Sequence, residues 1–189
     1  MLVFTSDNGG ETRVTINGHL RDGKSSTYEG GLRVPLIVEH PGITPSSRIV
    51  DVPTINLDFY PTFAELAGYE IPEAHVSDGV SILSLLRGGT DNEDLTRRFF
   101  SWHYPLPEPH FLGGRSSGAN RKDRYKYIHF FDDGSDELYD LRLDESETTN
   151  LAPTHPAKCN EHRVLLRNWI AEVKGTVPAG QAGLDTDSE

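Results

Sequence analysis

The segment that most constrains this chain is a short apolar run, Leu2-Val3-Phe4, halted at once by Ser6-Asp7-Asn8-Gly9-Gly10. Four apolar or β-branched residues followed by turn formers read as a buried strand ending in a tight turn. A second run of the same kind, Val34-Pro35-Leu36-Ile37-Val38, also reads as a buried strand, with Pro35 near its start, where a lost donor is tolerable. Between them lies a polar, glycine-rich loop from Gly9 to Arg33. A loop of that length inside a compact domain is functional or mobile as a rule. A domain rarely opens on a bare core strand, so further sequence upstream is expected.

The strand end is where chemistry can gather. Asp7 and Asn8 place a carboxylate and an amide oxygen at the carboxyl end of a strand, where open α/β sheets collect ligands. Hard oxygen donors suit Ca²⁺ or Mg²⁺ rather than zinc, and no His/Cys pair has zinc spacing. Lys24 follows sixteen residues after Asn8, in a loop flanked by Gly23 and by Glu29-Gly30-Gly31. A lysine there can act as a point charge on a tetrahedral oxyanion beside a metal. On spacing alone, an Asp-Asn-Gly turn with a solvated lysine is the simpler and favoured reading of the same residues.

Bulk properties bound the partners. The chain has 189 residues, 35% of them hydrophobic and 9% aromatic, values that suit a globular fold with a modest core. A net charge of −11 argues against nucleic acid or an anionic membrane as a non-specific partner. Cys159 is the one cysteine, so no internal disulfide can form. No apolar run has the length of a membrane span, and MLVFTSDNGG has neither the basic head nor the apolar stretch of a signal peptide. Localisation is left undetermined.

Further along, Asp58 to Ala67 is helical in pattern, with Asp58 able to cap, Pro61 in the first turn and Gly68 at the C-terminal end. A shorter helix is expected over Ser81 to Arg87, a charged linker over 90–98, and a Pro/Gly-rich stretch after Tyr104. Tyr125 to Phe131 and Glu137 to Leu141 read as strands of a hairpin around Asp132-Asp133-Gly134-Ser135. The last element is a helix over Pro156 to Lys174, with Leu165, Trp169 and Val173 repeating at i, i+4, i+8 beside Leu166 and Ile170. The expected division is 1–89, the end of a catalytic domain; 90–175, a small antiparallel-sheet subdomain with one packed helix; and 176–189, a disordered tail.

Four runs in order carry a resemblance: FTSDNGG with GHLRDGKSSTYEGGLRVPLIVEHPG, DFYPTFAELAG, DGVSI, and DRYKYIHFFDDGSDELYDLRLDESETTNLA. Together they resemble the C-terminal portion of the sulfatases, arylsulfatase-like members of the alkaline-phosphatase-like superfamily. The resemblance implies an α/β fold: the C-terminal part of an alkaline-phosphatase-like sheet plus a small antiparallel sheet with one packed helix. It implies a sulfuric ester hydrolase, with Asp7 and Asn8 as calcium ligands and Lys24 as a catalytic and substrate-binding contact to sulfate. Glu29 and Arg33 become structural members of the motif, held by ion pairs or loop-bracing bonds. Trp102, His103, Tyr104 and His110 fall where related enzymes bring loops toward the substrate, His103 being the candidate contact, and His19 is expected on the surface.

The formylglycine of this family is made from Cys or Ser in a C/S-x-P-x-R motif, which is absent here. Cys159 has Arg163 at the right spacing but Glu161 where Pro is needed, and Ser46-Ser47-Arg48 fails because Pro45 precedes both serines. Formylglycine is therefore expected in a missing N-terminal half, and the chain alone is expected to be inactive, and aggregation-prone or dependent on that half or on self-association. Two ligands are also few for Ca²⁺, which takes six to eight. The other readings are a non-catalytic binding or assembly module on the same scaffold, and a related metal-dependent phosphatase or phosphodiesterase.

Overall fold

The computed structural model describes residues 1–90, 95, 98–181 and 184. By contacts the chain forms two compact units. One contains residues 1–5 and 36–98, the other residues 6–35 and 99–189. The long loop after the first strand therefore groups with the C-terminal sheet, not with the helices that follow it in sequence. This differs from a division by chain order at residue 89.

In the first unit, strand β1 (Leu2–Thr5) pairs antiparallel with β2 (Leu36–Glu39), Phe4 opposite Ile37. Leu2, Phe4 and Ile37 share one face and are each 58% exposed, so strands that read as buried are open on that side. A single 3-10 turn, Asn56–Asp58, leads into α2 (Phe59–Leu66), and α3 covers Leu83–Leu86. Around α3, Ile82, Leu85 and Leu95 pack with Leu36, Val52 and Val80. We label the four-residue helix Glu29–Leu32 of the other unit α1.

Asp58 does not cap α2 with its side chain, contrary to the sequence pattern. It is fully buried, and its carboxylate accepts the Ile55 and Val80 amides and both terminal nitrogens of Arg98, each at 2.6 Å. Arg98, read as the end of a linker, is thus the partner that makes a buried charge tolerable. Residues 91–94 and 96–97 of that linker lie outside the described residues.

The second unit is a four-stranded antiparallel sheet in chain order: β3 (Phe99–Tyr104), β4 (Ser117–Lys122), β5 (Tyr125–Phe130) and β6 (Asp136–Asp140). Helix α4 (Pro156–Glu172) covers one face. It buries Cys159, His162, Leu166 and Ile170, with Trp169 packed against the same core, whereas Val173, expected on that face, is 50% exposed. That core also holds Tyr127, Phe131 and Leu138. On the opposite face Ala119, Ile128, Phe130 and Tyr139 surround Tyr28 of the long loop, with Trp102 at the edge. The sheet is covered on both faces, which explains why β5 is buried over nearly its whole length.

β4, Ser-Gly-Ala-Asn-Arg-Lys, was not evident from sequence because its residues have low strand propensity. Packing decides instead. A Cβ at Gly118 would meet Phe131 at 3.0 Å and Leu166 at 3.1 Å, so a larger residue there would press both side chains aside beneath α4. Some described residues of the tail contact the sheet. Thr176 accepts from His103, Gln181 bonds Ser116 and the Leu106 carbonyl, and Leu184 is buried in the helix-side core. Residues 182–183 and 185–189 of the expected disordered tail lie outside the described residues.

Candidate active site

The long loop folds back on itself so tightly that backbones touch. The Gly9 amide donates to the Gly31 carbonyl at 2.9 Å, and a Cβ on Gly9 would stand 1.7 Å from the Gly30 oxygen. No side chain can occupy that position without parting the two ends of the loop. The Lys24 amide donates to Gly10 and the Gly30 amide to Arg21, which closes the interior of the loop. Asn17 clamps it further: its Oδ1 accepts the Gly10 amide at 2.8 Å, while its Nδ2 donates to the carbonyls of Gly10 and Asp22, each at 2.9 Å. Sequence reasoning passed over Asn17, since a lone Asn before Gly reads as an ordinary turn former.

This clamp presents Asp7, Asn8 and Lys24 from one loop. Asp7 and Lys24 are exposed and Asn8 is half-buried. The Asn8 amide donates to Asp7 Oδ1. That bond, helped by the positive charge of Lys24, holds the Asp7 carboxyl below the usual carboxylate range. Asp7 therefore stays an acceptor-only anion, the form a hard cation requires. A carboxylate and an amide oxygen fit calcium or magnesium in kind but supply only two oxygens. Among the described residues no group of three or more His, Cys, Asp or Glu is placed to hold a metal.

The far end of the loop is built differently. Glu29, at the start of α1, is only 3% exposed, and its Oε1 meets Lys126 Nζ of β5 at 2.9 Å. Lys126 and Glu147 are fully buried, and Lys126 Nζ also lies 2.9 Å from Glu147 Oε1. Glu147 Oε2 in turn accepts the Glu29 amide at 2.6 Å. Burial pushes the Glu147 carboxyl above its ordinary value, opposed by Lys126. Next to this cluster Arg21 lies 3.8 Å over the Tyr28 ring and donates to Tyr139, while Tyr28 and Tyr139 both donate to Glu137. Lys126 and Glu147 could not be singled out from sequence, because both residue types are ordinarily exposed.

Arg33 is instead at the surface, 3.2 Å from Glu145, which His19 also meets at 3.0 Å. His103 is not brought to the Lys24 turn. It faces Gly118 across β3–β4, on the helix side of the sheet, with its Nε2 at 2.9 Å from the Thr176 carbonyl and its ring edge-on to Phe131. Cys159 is buried in α4, where burial raises its thiol, so no activated nucleophile resides there. A groove of about 40 Å³, lined by Asp22, Ser26, Thr27, Gly113, Arg115 and others, runs beside the loop. Its volume falls far short of the roughly 300 Å³ at which small-molecule pockets begin.

Residues 20–173 match the family described as N-sulphoglucosamine sulphohydrolase, C-terminal. The chain belongs to the sulfatase family. It is 38% identical over 195 residues to a sulfatase of Formosa agariphila, covering 95% of this chain and 34% of that protein. A Delta 4,5-hexuronate-2-O-sulfatase of Bacteroides thetaiotaomicron is 30% identical, covering 91% of this chain and 37% of that one. Among solved structures, Ps i-CgsB in complex with k-i-k-neocarrahexaose superposes with a TM-score of 0.75 at 27% identity, covering 88% of this chain and 35% of that one. The phosphonate monoester hydrolase of Agrobacterium radiobacter gives 0.63 at 26% identity, covering 90% and 34%. The sulfatase chain thus spans about a third of the length of these relatives, and its mixed α/β architecture matches their C-terminal portions.

Proposed function

We propose that this sulfatase chain contributes part of the metal-and-sulfate site of a sulfuric ester hydrolase. The observation that carries the reading is the clamped loop, in which the Lys24 amide donates to Gly10, next along from an ionised Asp7 and the Asn8 amide, with Lys24 itself exposed. Asp7 and Asn8 would be two oxygen ligands of a divalent cation, Ca²⁺ or Mg²⁺. That cation, when bound, supplies charge withdrawal from the sulfate oxygens. Lys24 would hold the sulfate as a point charge, stabilising the negative charge that grows on its oxygens and on the leaving group. Glu29 acts through the loop by keeping it shut. Cys159 is unsuited to be the nucleophile, so the formylglycine whose hydrated aldehyde is the nucleophile in this family would be carried by a companion segment with C-x-P-x-R.

Turnover of an aryl sulfate such as 4-nitrophenyl sulfate, by the chain alone and with a co-expressed polypeptide bearing that motif, tests the reading. Hydrolysis is expected only with both present, and it should fall at least a hundredfold in Lys24→Ala. Turnover by the chain alone, or a Lys24→Ala variant as active as the parent, would sink it. A phosphonate monoester run in parallel separates the sulfatase reading from that of a related phosphoester enzyme, which the Agrobacterium neighbour keeps in view. A folded chain that neither binds sulfate nor reconstitutes activity would be a non-catalytic module.

A further inference from the structure

Lys24 leaves the chain from a turn that carries backbone strain. Residues 23–26 form it: the Ser26 amide donates to the Gly23 carbonyl at 3.1 Å, with Lys24 and Ser25 at the central positions. Ser25 holds φ at 76°, the left-handed value for which a type II turn ordinarily uses glycine at this position. Asp22, just before the turn, is left-handed too, at 61°. A serine can offset such strain by bonding its own backbone. The buried Ser25 hydroxyl, however, has no hydrogen-bond partner among the described residues. Strain of this kind persists only where the surroundings hold it.

The surroundings include a distant part of the chain. Gly114, in the connection from β3 to β4, is buried against Ser25. A Cβ on Gly114 would stand 1.8 Å from the Ser25 carbonyl oxygen and 2.9 Å from its hydroxyl. The connection is itself closed, with the His110 amide donating to the Gly114 carbonyl at 2.8 Å and the Gly113 amide to the His110 carbonyl at 2.7 Å. Just past the turn, the Thr27 hydroxyl lies 3.0 Å from that of Ser117, the first residue of β4. On the turn's other side a Cβ on Gly23 would stand 2.3 Å from the Gly10 oxygen. The corner that bears Lys24 is thus caught between backbone of the loop interior and backbone of the β3–β4 connection.

We propose that Gly114 is a positioning residue for Lys24, an inference that rests on the sulfate role given to Lys24 under Proposed function. A lysine is a point charge on a flexible stem, so the backbone it leaves from sets where that charge can reach. Only a residue without a side chain lets the connection close on Ser25. Any larger residue must push the Ser25 carbonyl, and the corner with it, by more than an ångström, since the atom it meets is backbone and cannot rotate away. This contact is separate from the Glu29–Lys126–Glu147 cluster, which braces the loop through β5.

The test is an NMR titration of the full chain with inorganic sulfate, in calcium, with the melting of each variant measured alongside. Gly114→Ala is expected to weaken sulfate by about threefold to tenfold. In a Lys24→Ala background the same change should weaken sulfate no further, because Gly114 acts through Lys24. An equal loss in both backgrounds would show a general loosening of the loop and overturn the proposal. Ser25→Val and Ser25→Gly decide the matter if Gly114→Ala does not fold or Lys24→Ala leaves too little binding to measure. Valine cannot hold a φ of 76° and should lose sulfate as Gly114→Ala does, whereas glycine holds it freely and should bind far better than valine. Equal binding by these two folded variants, or a folded Gly114→Ala that binds like the parent, would overturn the positioning role while leaving the site in place. If Lys24→Ala binds sulfate like the parent, or the parent binds none, the reading beneath it falls as well.

Discussion

The two ends of the long loop make opposite use of charge. At one end Glu29, Lys126 and Glu147 are at most 3% exposed and meet one another within 3 Å. At the other, Asp7 and Lys24 face solvent. The buried end carries ions that could not be removed singly without leaving an uncompensated charge in the core. The open end keeps its ions hydrated and free to change partners. Preorganisation and ligand exchange thus fall to different side chains of one loop: the sheet holds it in shape so that the exposed ions need not.

The largest expected effect breaks the buried end. Lys126→Ala leaves Glu29 and Glu147 facing each other without a cation and should cost about 3–5 kcal/mol in urea unfolding. A loss under about 1 kcal/mol would show that the cluster does not brace the loop. The next effect lies on the helix face of the same sheet. Burial lowers His162 from 6.5 to about 4, so it is neutral in the fold and held by Asn120 at 2.7 Å. The unfolded chain takes up that proton near pH 6.5 and the folded chain only near pH 4. Stability is then full above pH 6.5 and declines as pH falls toward 4, by up to about 3 kcal/mol. His162→Gln should flatten that decline in melts run from pH 7.5 to 4.5.

Smaller effects sharpen the comparison at the tip. Asn17→Ala removes the clamp and should cost about 1–3 kcal/mol, with sulfate binding lost alongside stability. Lys24→Ala should leave thermal stability within about 0.5 kcal/mol while weakening sulfate. A Lys24→Ala variant that melts like Lys126→Ala would erase the distinction between the two ends.

Much of this arrangement was legible in the sequence, and the remainder was hidden for a physical reason. Strand-end oxygens, a glycine-flanked lysine, α2, α4 and the 125–141 hairpin follow from local pattern and from the family's motifs. Lys126 and Glu147 did not, because burial of a charge depends on which strand face meets which loop, a tertiary fact. β4 stayed hidden because its small, polar residues are chosen by the helix above them and not by strand propensity. On α4 the pattern finds Leu166 and Ile170 but not Cys159 and His162, whose burial depends on Asp136 and Asn120 meeting them inside. Asp58 was read as a cap because a capping residue and a buried ion-pair partner look alike without Arg98.

The tip is held in shape from the buried end, and the measurement that decides this is amide hydrogen exchange at Gly9, Lys24, Gly30 and Gly31. These amides donate to Gly31, Gly10, Arg21 and Tyr28 within the loop. Protection in the parent chain that collapses in Lys126→Ala, yet persists in Lys24→Ala, is the predicted result. Exchange of these amides at unstructured rates in the parent chain, or protection indifferent to Lys126, would contradict it.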